Sequence, residues 1–182
     1  MKLSTLFEST TLPKVDSLND LKGATEPVNV TGDVDLRNEN IDQLPVRFGR
    51  IGKNFYCSSN NLTSLAGSPD YVEEDFSCYN NMITSLDGAP HHIGEELNCS
   101  NNQITSLVSI HKIIKSCGQI FISKNPIKEG GLGLLLIKDL EYIVSELPAL
   151  KIINKYLGKG KRGMIDCQTE LIKAGYKEFA KL

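Results

Sequence analysis

Three cysteines at a constant spacing are the first candidates for chemistry. Cys57, Cys78 and Cys99 lie 21 residues apart. If each belongs to a strand of one parallel stack, neighbouring thiols lie about 4.8 Å apart, close enough for a disulfide or a shared metal ion. Corresponding segments carry Leu36 and Ile122 at the same position, however, and a free cysteine packs as a small apolar residue. We therefore predict a structural column and expect no metal or cofactor.

Three histidines are the other candidate metal ligands. His91, His92 and His111 fall in the predicted outer turns, and no partner follows at a ligand spacing such as Cys-x-x-Cys. We interpret them as solvated turn residues. The sequence also places no histidine as the base for a serine or threonine nucleophile, so it predicts a protein that is not an enzyme.

One local group of basic residues is a candidate for phosphate contacts. Lys159, Lys161 and Arg162, with Lys155 nearby, belong to a glycine-containing stretch that we predict to be a loop between two helices. Basic side chains bind phosphates in a salt-dependent manner. The stretch lacks an interleaved aromatic platform and a recognition helix, which favours a solvated loop. Nucleic-acid contact through these four residues is the alternative hypothesis.

An internal repeat must position these residues. The segments KNFYCSSNNLTSLAGSPDYV, EDFSCYNNMITSLDGAPHHI and EELNCSNNQITSLVSIHKII follow one another at an interval of 21 residues. A divergent copy at residues 31–51 precedes them, and a fifth follows at an interval of 23 residues. About five units are therefore predicted to stack, enough to bury a shared core. Besides the cysteines, the apolar columns are Phe55/Phe76/Leu97, Leu62/Ile83/Ile104, Leu65/Leu86/Leu107 and Val72/Ile93/Ile114.

Each unit begins with an alternation that is typical of a short strand. The apolar residues at alternate positions, such as Phe55 and Cys57, predict a strand with one buried face. A column of asparagines follows, where the chain must bend inward; an amide side chain can satisfy backbone groups that the bend leaves unpaired. Glu39 replaces the asparagine in the first unit. The column consists of Asn60, Asn81, Asn102 and Asn125.

The pattern apolar-x-Cys/Leu-x-x-Asn-x-apolar-x-x-Leu resembles the leucine-rich repeat. Its Thr-Ser-Leu-x-Gly-x-Pro form is similar to the short 21-residue repeats of proteins from tailed bacteriophages and some bacteria. The resemblance covers about residues 30–127. It implies an α/β fold: a leucine-rich-repeat solenoid with a short parallel concave sheet, a largely irregular convex side and a helical C-terminal cap. It also implies a protein that mostly binds other proteins.

The chain is predicted to have three parts. Residues 1–27 form an N-terminal leader or cap, residues 28–127 the solenoid of about five units, and residues 128–182 a helical C-terminal cap. Within the cap, apolar spacing predicts a helix over residues 134–147, stopped by Pro148, and a second over residues 149–157. A third helix is predicted from about Cys167, capped by Asp166 and bent or ended near Gly175.

The outward strand positions form the candidate protein-binding surface. Five strands give a surface roughly 20–25 Å long, able to contact about 800 Å² of a partner. Tyr56, Tyr79 and Phe121 are its aromatic anchors. An ordinary solvated sheet would also carry polar residues there, so both interpretations stay open. The candidate residues are Asp35, Arg37, Asn54, Tyr56, Ser58, Asp75, Ser77, Tyr79, Glu96, Asn98 and Phe121, and the remaining outward positions are Asp33, Ser100, Gln119 and Ser123.

Charge and composition limit the classes of partner. The formal net charge is −2, but residues 1–127 carry −5 and residues 128–182 carry +3, so a nucleic-acid or membrane partner would need a local patch. No apolar stretch approaches the roughly 18 residues of a membrane span. Five cysteines without close pairs favour a reducing compartment. We expect a soluble cytoplasmic protein, in the host bacterial cytoplasm if it is phage-encoded.

The main functional hypothesis is a non-enzymatic interaction module. It binds a protein partner, a basic host protein if the phage resemblance holds, through the concave face of the repeats. The alternative is a nucleic-acid-contacting protein that uses the basic C-terminal loop, with the repeats as a scaffold. An enzyme with its chemistry in the C-terminal helices is a third and weaker hypothesis. The oligomeric state is left open.

Overall fold

The computed structural model describes residues 10–182, and the part of the predicted leader at residues 1–9 lies outside the described residues. The repeats wind into a parallel β-solenoid of about six turns, here called coils, with a spacing of about 21 residues. The strands are β1 (Thr11–Leu12), β2 (Val28–Val30), β3 (Val34–Asp35), β4 (Phe48–Ile51), β5 (Phe55–Tyr56), β6 (Tyr71–Val72), β7 (Phe76–Ser77), β8 (His92–Ile93), β9 (Glu96–Asn98), β10 (Ser106–Leu107), β11 (Gln119–Phe121), β12 (Glu129–Gly130) and β13 (Tyr142–Val144). The α-helices are α1 (Ile110–Ile113), α2 (Pro148–Asn154) and α3 (Gly160–Lys173), and short 3-10 helices span Leu18–Leu21, Leu132–Leu136 and Lys177–Ala180.

Two parallel sheets run along the solenoid. The first sheet has the order β1-β2-β4-β6-β8, and the second has the order β3-β5-β7-β9-β11-β13. Single bridges at Ser116 and Lys138 extend the first sheet, and Val15 extends the second by pairing with Val34. The sequence predicted the second sheet. The first sheet lies on the side that was expected to be largely irregular, and its β6 and β8 strands have only two residues each.

The register of the second sheet confirms the predicted inner column. Val34 pairs with Phe55, Phe55 with Phe76, and Phe76 with Leu97. The column continues through Ile120 to Ile143, and its members are buried. The rings of Phe55 and Phe76 stack with their centroids 5.4 Å apart. Stacked identical positions therefore build one continuous apolar core.

The asparagine column supplies hydrogen bonds to the bends of four successive coils. Asn102 Oδ1 accepts the Ile83 N–H of the preceding coil at 3.0 Å. Its Nδ2 donates to the carbonyl oxygens of Cys78, Cys99 and Ser100 at 3.1, 3.1 and 3.3 Å. Asn81 and Asn125 repeat this set of bonds. The predicted role of this column is confirmed, and each asparagine bonds both to its own coil and to the coil before it.

The coil that contains Glu39 is closed in the same way. Asn60 of the next coil donates to the Leu36 carbonyl at 2.7 Å and accepts the Ile41 N–H at 3.3 Å. The asparagine of the next coil therefore supplies the bonds to Leu36 and Ile41, although this coil lacks the bonds that later coils receive from their own asparagine.

Residues 10–27 join the array. β1 pairs in parallel with β2, and Val15 bridges to Val34. Val15 and Leu21 are buried in the common core. This part of the predicted leader or cap therefore pairs with both sheets and covers the first end of the solenoid.

The predicted helix over residues 134–147 is wrong. The structure has only the 3-10 segment Leu132–Leu136 there, followed by β13, which pairs with β11. Ile143 fits the inner column of the second sheet, so pairing along the sheet overrides the local helical spacing. The sheet thus continues beyond residue 127, where the cap was predicted to begin.

The two C-terminal helices begin earlier than predicted. Pro148 occupies the first turn of α2 rather than stopping a helix before it, a position that suits proline. Helix α3 begins at Gly160, so the predicted loop around Lys161 and Arg162 is its first turn. The expected end near Gly175 is confirmed, since this glycine has a φ of 87° directly after α3. The helices cover the last coil as a C-terminal cap.

We predict that Asn102→Ala lowers the free energy of unfolding by about 3 kcal/mol, because it leaves the buried Ile83 N–H without a partner and removes one of the two side-chain amide bonds to each of the Cys78 and Cys99 carbonyls. Asn61→Ala is the matched control. That residue is exposed, and its amide bonds only to the Asn40 side chain at 2.8 Å, so we expect a loss below about 0.5 kcal/mol. Urea unfolding followed by circular dichroism measures both changes. Equal losses would contradict the special role of the asparagine column.

Candidate functional site

The outward side chains of the second sheet form three columns, which we call the polar face. The central column runs in register through Asp35, Tyr56, Ser77, Asn98 and Phe121. The column before it contains Asp33, Asn54, Asp75, Glu96 and Gln119, and the column after it contains Arg37, Ser58, Tyr79, Ser100 and Ser123. The structure therefore brings the predicted protein-binding residues onto one side of one sheet.

Two serines of this set are less available than expected. Ser58 is 7% exposed and Ser100 is 9% exposed. The Ser58 hydroxyl lies 2.8 Å from the Ser77 hydroxyl and donates to the Ser77 carbonyl at 3.2 Å. The hydroxyl groups of Ser58 and Ser77 therefore bond within the sheet. The alternation of strand residues predicted exposed side chains at Ser58 and Ser100. Both are buried instead, because the chain bends inward directly after these positions.

Arg37, Asp35 and Tyr56 form one cluster at the first end of the face. The Arg37 guanidinium donates to both Asp35 carboxylate oxygens, at 2.9 and 2.6 Å, and lies 5.0 Å from the centre of the Tyr56 ring. The hydrogen bond from Arg37 holds the pKa of Asp35 below its usual value. Burial, followed by the nearby Asp75, raises the pKa of Tyr56. The cluster offers a neutral ion pair and a neutral hydroxyl group.

A ladder of side chains connects the coils along the first column. Asn54 Nδ2 donates to Asp33 Oδ1 at 2.9 Å, and Asn54 Oδ1 accepts the Asp75 N–H at 3.0 Å. Asp75 Oδ1 in turn accepts the Glu96 N–H at 3.1 Å. Burial, and then the charge of Asp75, raises the pKa of Glu96. These residues support the sheet whether or not a partner is bound.

An acidic cavity opens at the corner between the two sheets. Its volume is about 380 Å³, and four carboxylate residues line it: Asp75, Glu95, Glu96 and Glu141. Within residues 10–182, none of the four forms an ion pair with a lysine, arginine or histidine. The described part of the chain also contains no group of three or more His, Cys, Asp or Glu residues placed to hold a metal ion. A lysine or arginine side chain from a partner is the chemistry that this corner fits.

Two large side chains are exposed close together in the sequence, one on the polar face and one directly after it. Tyr79 is 40% exposed and Met82 is 46% exposed, on either side of the buried Asn81. Sequence reasoning missed Met82, although the corresponding positions of the neighbouring units carry Asn61 and Gln103. An apolar residue that replaces a polar one at a repeat position is the signal that would have found it.

Tyr142 was missed for a different reason. It is 54% exposed and lies on β13, where it pairs with Gln119 of β11. It therefore continues the column of the polar face that contains Asp33, Asn54, Asp75, Glu96 and Gln119. The sequence placed it in a helix, so its position on the sheet was not considered. The polar face therefore has an additional aromatic residue next to the acidic cavity.

The cysteine column lies in the core, as predicted. Cys57, Cys78 and Cys99 are buried, and so are Cys117 and Cys167; all five are free thiols. Burial raises the pKa of each thiol, to about 12 for Cys78. A thiolate is the nucleophile and the metal ligand, and burial disfavours that form at all five positions.

The histidines have separate environments. His92 lies in β8 rather than in a turn, and its Nδ1 is 3.0 Å from the Ser116 hydroxyl. His91 Nδ1 contacts Asp70 Oδ1, and both residues line a surface cavity of about 390 Å³ together with Ser68. The Ser68 hydroxyl is buried without a hydrogen-bond partner among the described residues, so the imidazole does not bond to it. His111 lies in α1.

The four candidate nucleic-acid residues are not equivalent. Lys155 is paired with Glu170 at 2.5 Å, and Lys159 lies 5.0 Å from the centre of the Tyr156 ring. Lys161 and Arg162 are exposed in the first turn of α3, which has no acidic residue and no side-chain cap. Only part of the predicted basic group therefore faces solvent without a compensating charge.

Comparison with known protein families, curated proteins and solved structures finds no match to this chain. Within residues 10–182, none of the helices is long and apolar enough to cross a membrane.

We predict that the native protein reacts very slowly with a thiol reagent such as dithionitrobenzoate, because burial keeps the thiols protonated and inaccessible. All five should react at once in denaturant. Absorbance of the released product measures both phases. Rapid release from even one native cysteine would contradict the core assignment of that residue.

Proposed function

We propose that this protein is a non-enzymatic interaction module that binds a protein partner through the polar face. The observation that carries the proposal is the exposure of Tyr79 and Met82 next to a surface of acidic and small polar groups. Large apolar side chains gain free energy when a partner covers them, and aromatic residues are frequent among the residues that dominate binding energy.

The acidic corner supports a partner with basic residues. Four carboxylates that form no ion pair within residues 10–182, those of Asp75, Glu95, Glu96 and Glu141, line one cavity there. A complementary positive patch would steer association and favour correct partners over acidic ones. Tyr142 on one side and Phe121 in the next column offer apolar contacts beside the charges.

The solenoid with a 21-residue spacing supports assignment to the leucine-rich-repeat group. The residues that support it are the apolar and asparagine columns, which resemble the short repeats of phage and bacterial proteins. A phage origin would make a bacterial host protein the partner and the host cytoplasm the place where binding occurs.

We predict that the combined variant Tyr56→Ala, Tyr79→Ala and Asp75→Lys loses at least tenfold in affinity for a protein captured from bacterial lysate, because two aromatic anchors and one charge are removed. Mass spectrometry identifies the captured protein, and titration with the purified partner gives the two dissociation constants. Tyr71→Ala on the first sheet is the matched aromatic control and should leave the affinity unchanged. Unchanged capture by the triple variant would reject the polar face as the site.

A second candidate function is nucleic-acid contact at the start of α3. Lys161 and Arg162 support it, because they lie at a helix N-terminus without an acidic residue in its first turn, an arrangement that attracts phosphate groups. In this function the repeats serve as a scaffold.

For this second candidate, Lys161→Glu with Arg162→Glu should abolish binding of a labelled DNA or RNA oligonucleotide at low salt, and wild-type binding should weaken as salt increases. Fluorescence anisotropy measures both effects. Lys22→Glu with Lys53→Glu is a charge-matched control at exposed positions of the repeats. Absence of wild-type binding at low salt would remove the candidate.

A further inference from the structure

The last strand of the second sheet is closed by a single side chain. In β13, the main-chain carbonyl of Val144 accepts the Ile122 N–H of the neighbouring coil at 3.0 Å. Successive residues of a strand direct their main-chain groups to opposite sides, so the N–H and carbonyl of Ile143 point away from β11. The Ile143 N–H donates to Asn154 Oδ1 at 2.8 Å, and Asn154 Nδ2 donates to the Ile143 carbonyl at 2.6 Å. The amide of Asn154, at the end of α2, occupies the place of a further strand.

The first edge of the same sheet is also closed by a side chain. The Val15 N–H donates to the Asp33 carbonyl at 2.9 Å, and the Val15 carbonyl accepts the Asp35 N–H at 2.7 Å. The main-chain groups of the flanking Lys14 and Asp16 therefore point away from the sheet. Asp20 Oδ2 accepts the N–H groups of Asp16 at 2.9 Å and of Ser17 at 3.0 Å.

The two edges are complementary to each other. At the last edge, the main-chain N–H and carbonyl of Ile143 point to where a further coil would lie. At the first coil, the corresponding groups of Val15 point to the next coil and bond to Asp33 and Asp35. Lys14 and Asp16 of a second copy could bond to Ile143 as Asp33 and Asp35 bond to Val15. In that register Val15 of the second copy would lie over Ile143, and both are inward residues of the same column. The contact would repeat the parallel pairing already present between the first two coils.

We propose that the two ends of the second sheet are docking edges for a second copy of this chain, and that Asn154 and Asp20 keep them closed. An open sheet edge is a template for pairing with another chain, and natural proteins block such edges. Docking also requires α2 to move from the last coil, where Ala149, Leu150 and Ile153 are buried. This inference is independent of the proposed function, since it uses the ends of the sheet and not its polar face.

The head-to-tail geometry makes the test specific. One contact needs an open last edge on one copy and an open first edge on the other. Asn154→Ala frees the main-chain groups of Ile143 at the last edge and removes one contact that holds α2 there, and Asp20→Ala frees the N–H groups of Asp16 and Ser17 at the first edge. Each single variant alone should stay monomeric in sedimentation velocity, as should the wild type. An equimolar mixture of the two should form a species of twice the monomer mass and nothing longer.

The double variant should form longer assemblies as its concentration increases, because head-to-tail contacts do not close on themselves. Asn61→Ala, which changes an exposed amide away from both edges, is the control and should stay monomeric. If Asn154→Ala unfolds the chain, Asn154→Asp replaces it: the carboxylate still accepts the Ile143 N–H but cannot donate to the Ile143 carbonyl. Far-UV circular dichroism establishes that each variant is folded.

Three results would overturn the proposal. A folded double variant that stays monomeric at the highest soluble concentration would show that the edges do not dock. Association of Asn154→Ala alone would show that the first edge is not closed by Asp20. Wild-type association equal to that of the double variant would show that neither side chain guards an edge.

Discussion

The structure depends on an amide that each coil receives from the coil after it. Without Asn102, the Ile83 N–H of the preceding coil would be buried without a partner, and the Cys78 carbonyl would keep only the bond from the side chain of Asn81, at a cost that a chain of marginal stability cannot absorb repeatedly. The residue before each of these asparagines, such as Asn101 or Lys124, has a left-handed φ of 57° or 54°. The bend therefore has a fixed backbone geometry, and the asparagine side chain forms hydrogen bonds with the backbone groups that this geometry leaves unpaired. The apolar columns fill the interior that these bends enclose.

Much of this architecture could be predicted because it is repeated. The inner column from Phe55 to Leu97 and the asparagine column are visible as similar or identical residue types at intervals of 21 residues, or 23 before Asn125, and the register follows from these intervals. The first sheet was not predicted because β6 and β8 each contain one residue of a repeated apolar column, Val72 and Ile93, and a single apolar position shows no alternation. β13 was missed because the residues around Ile143 also match a helical spacing, and only the exposed edge of β11 decides between the two structures.

The candidate site was predictable to the level of which side chains face outward. Alternation correctly placed Tyr56 and Asp75, but it could not show that the Ser58 hydroxyl bonds to Ser77 or that Lys155 pairs with Glu170. Both contacts join residues far apart in the sequence. The acidic cavity was not predicted for the same reason. Asp75 and Glu141 lie far apart in the sequence, and only the winding of the coils brings them to one cavity. The closing roles of Asp20 and Asn154 likewise depend on where the sheet ends, which composition does not reveal.

The direction in which the asparagines act has a consequence for synthesis. A ribosome releases the N-terminal coils first, yet the four bends served by the asparagine column take bonds from a residue that lies 19 to 26 positions later in the chain. Each of these coils therefore has to wait for the next one before all the bonds of its bend can form. The final coil has no successor to wait for, and its strand is completed instead by the helix that ends at Asn154.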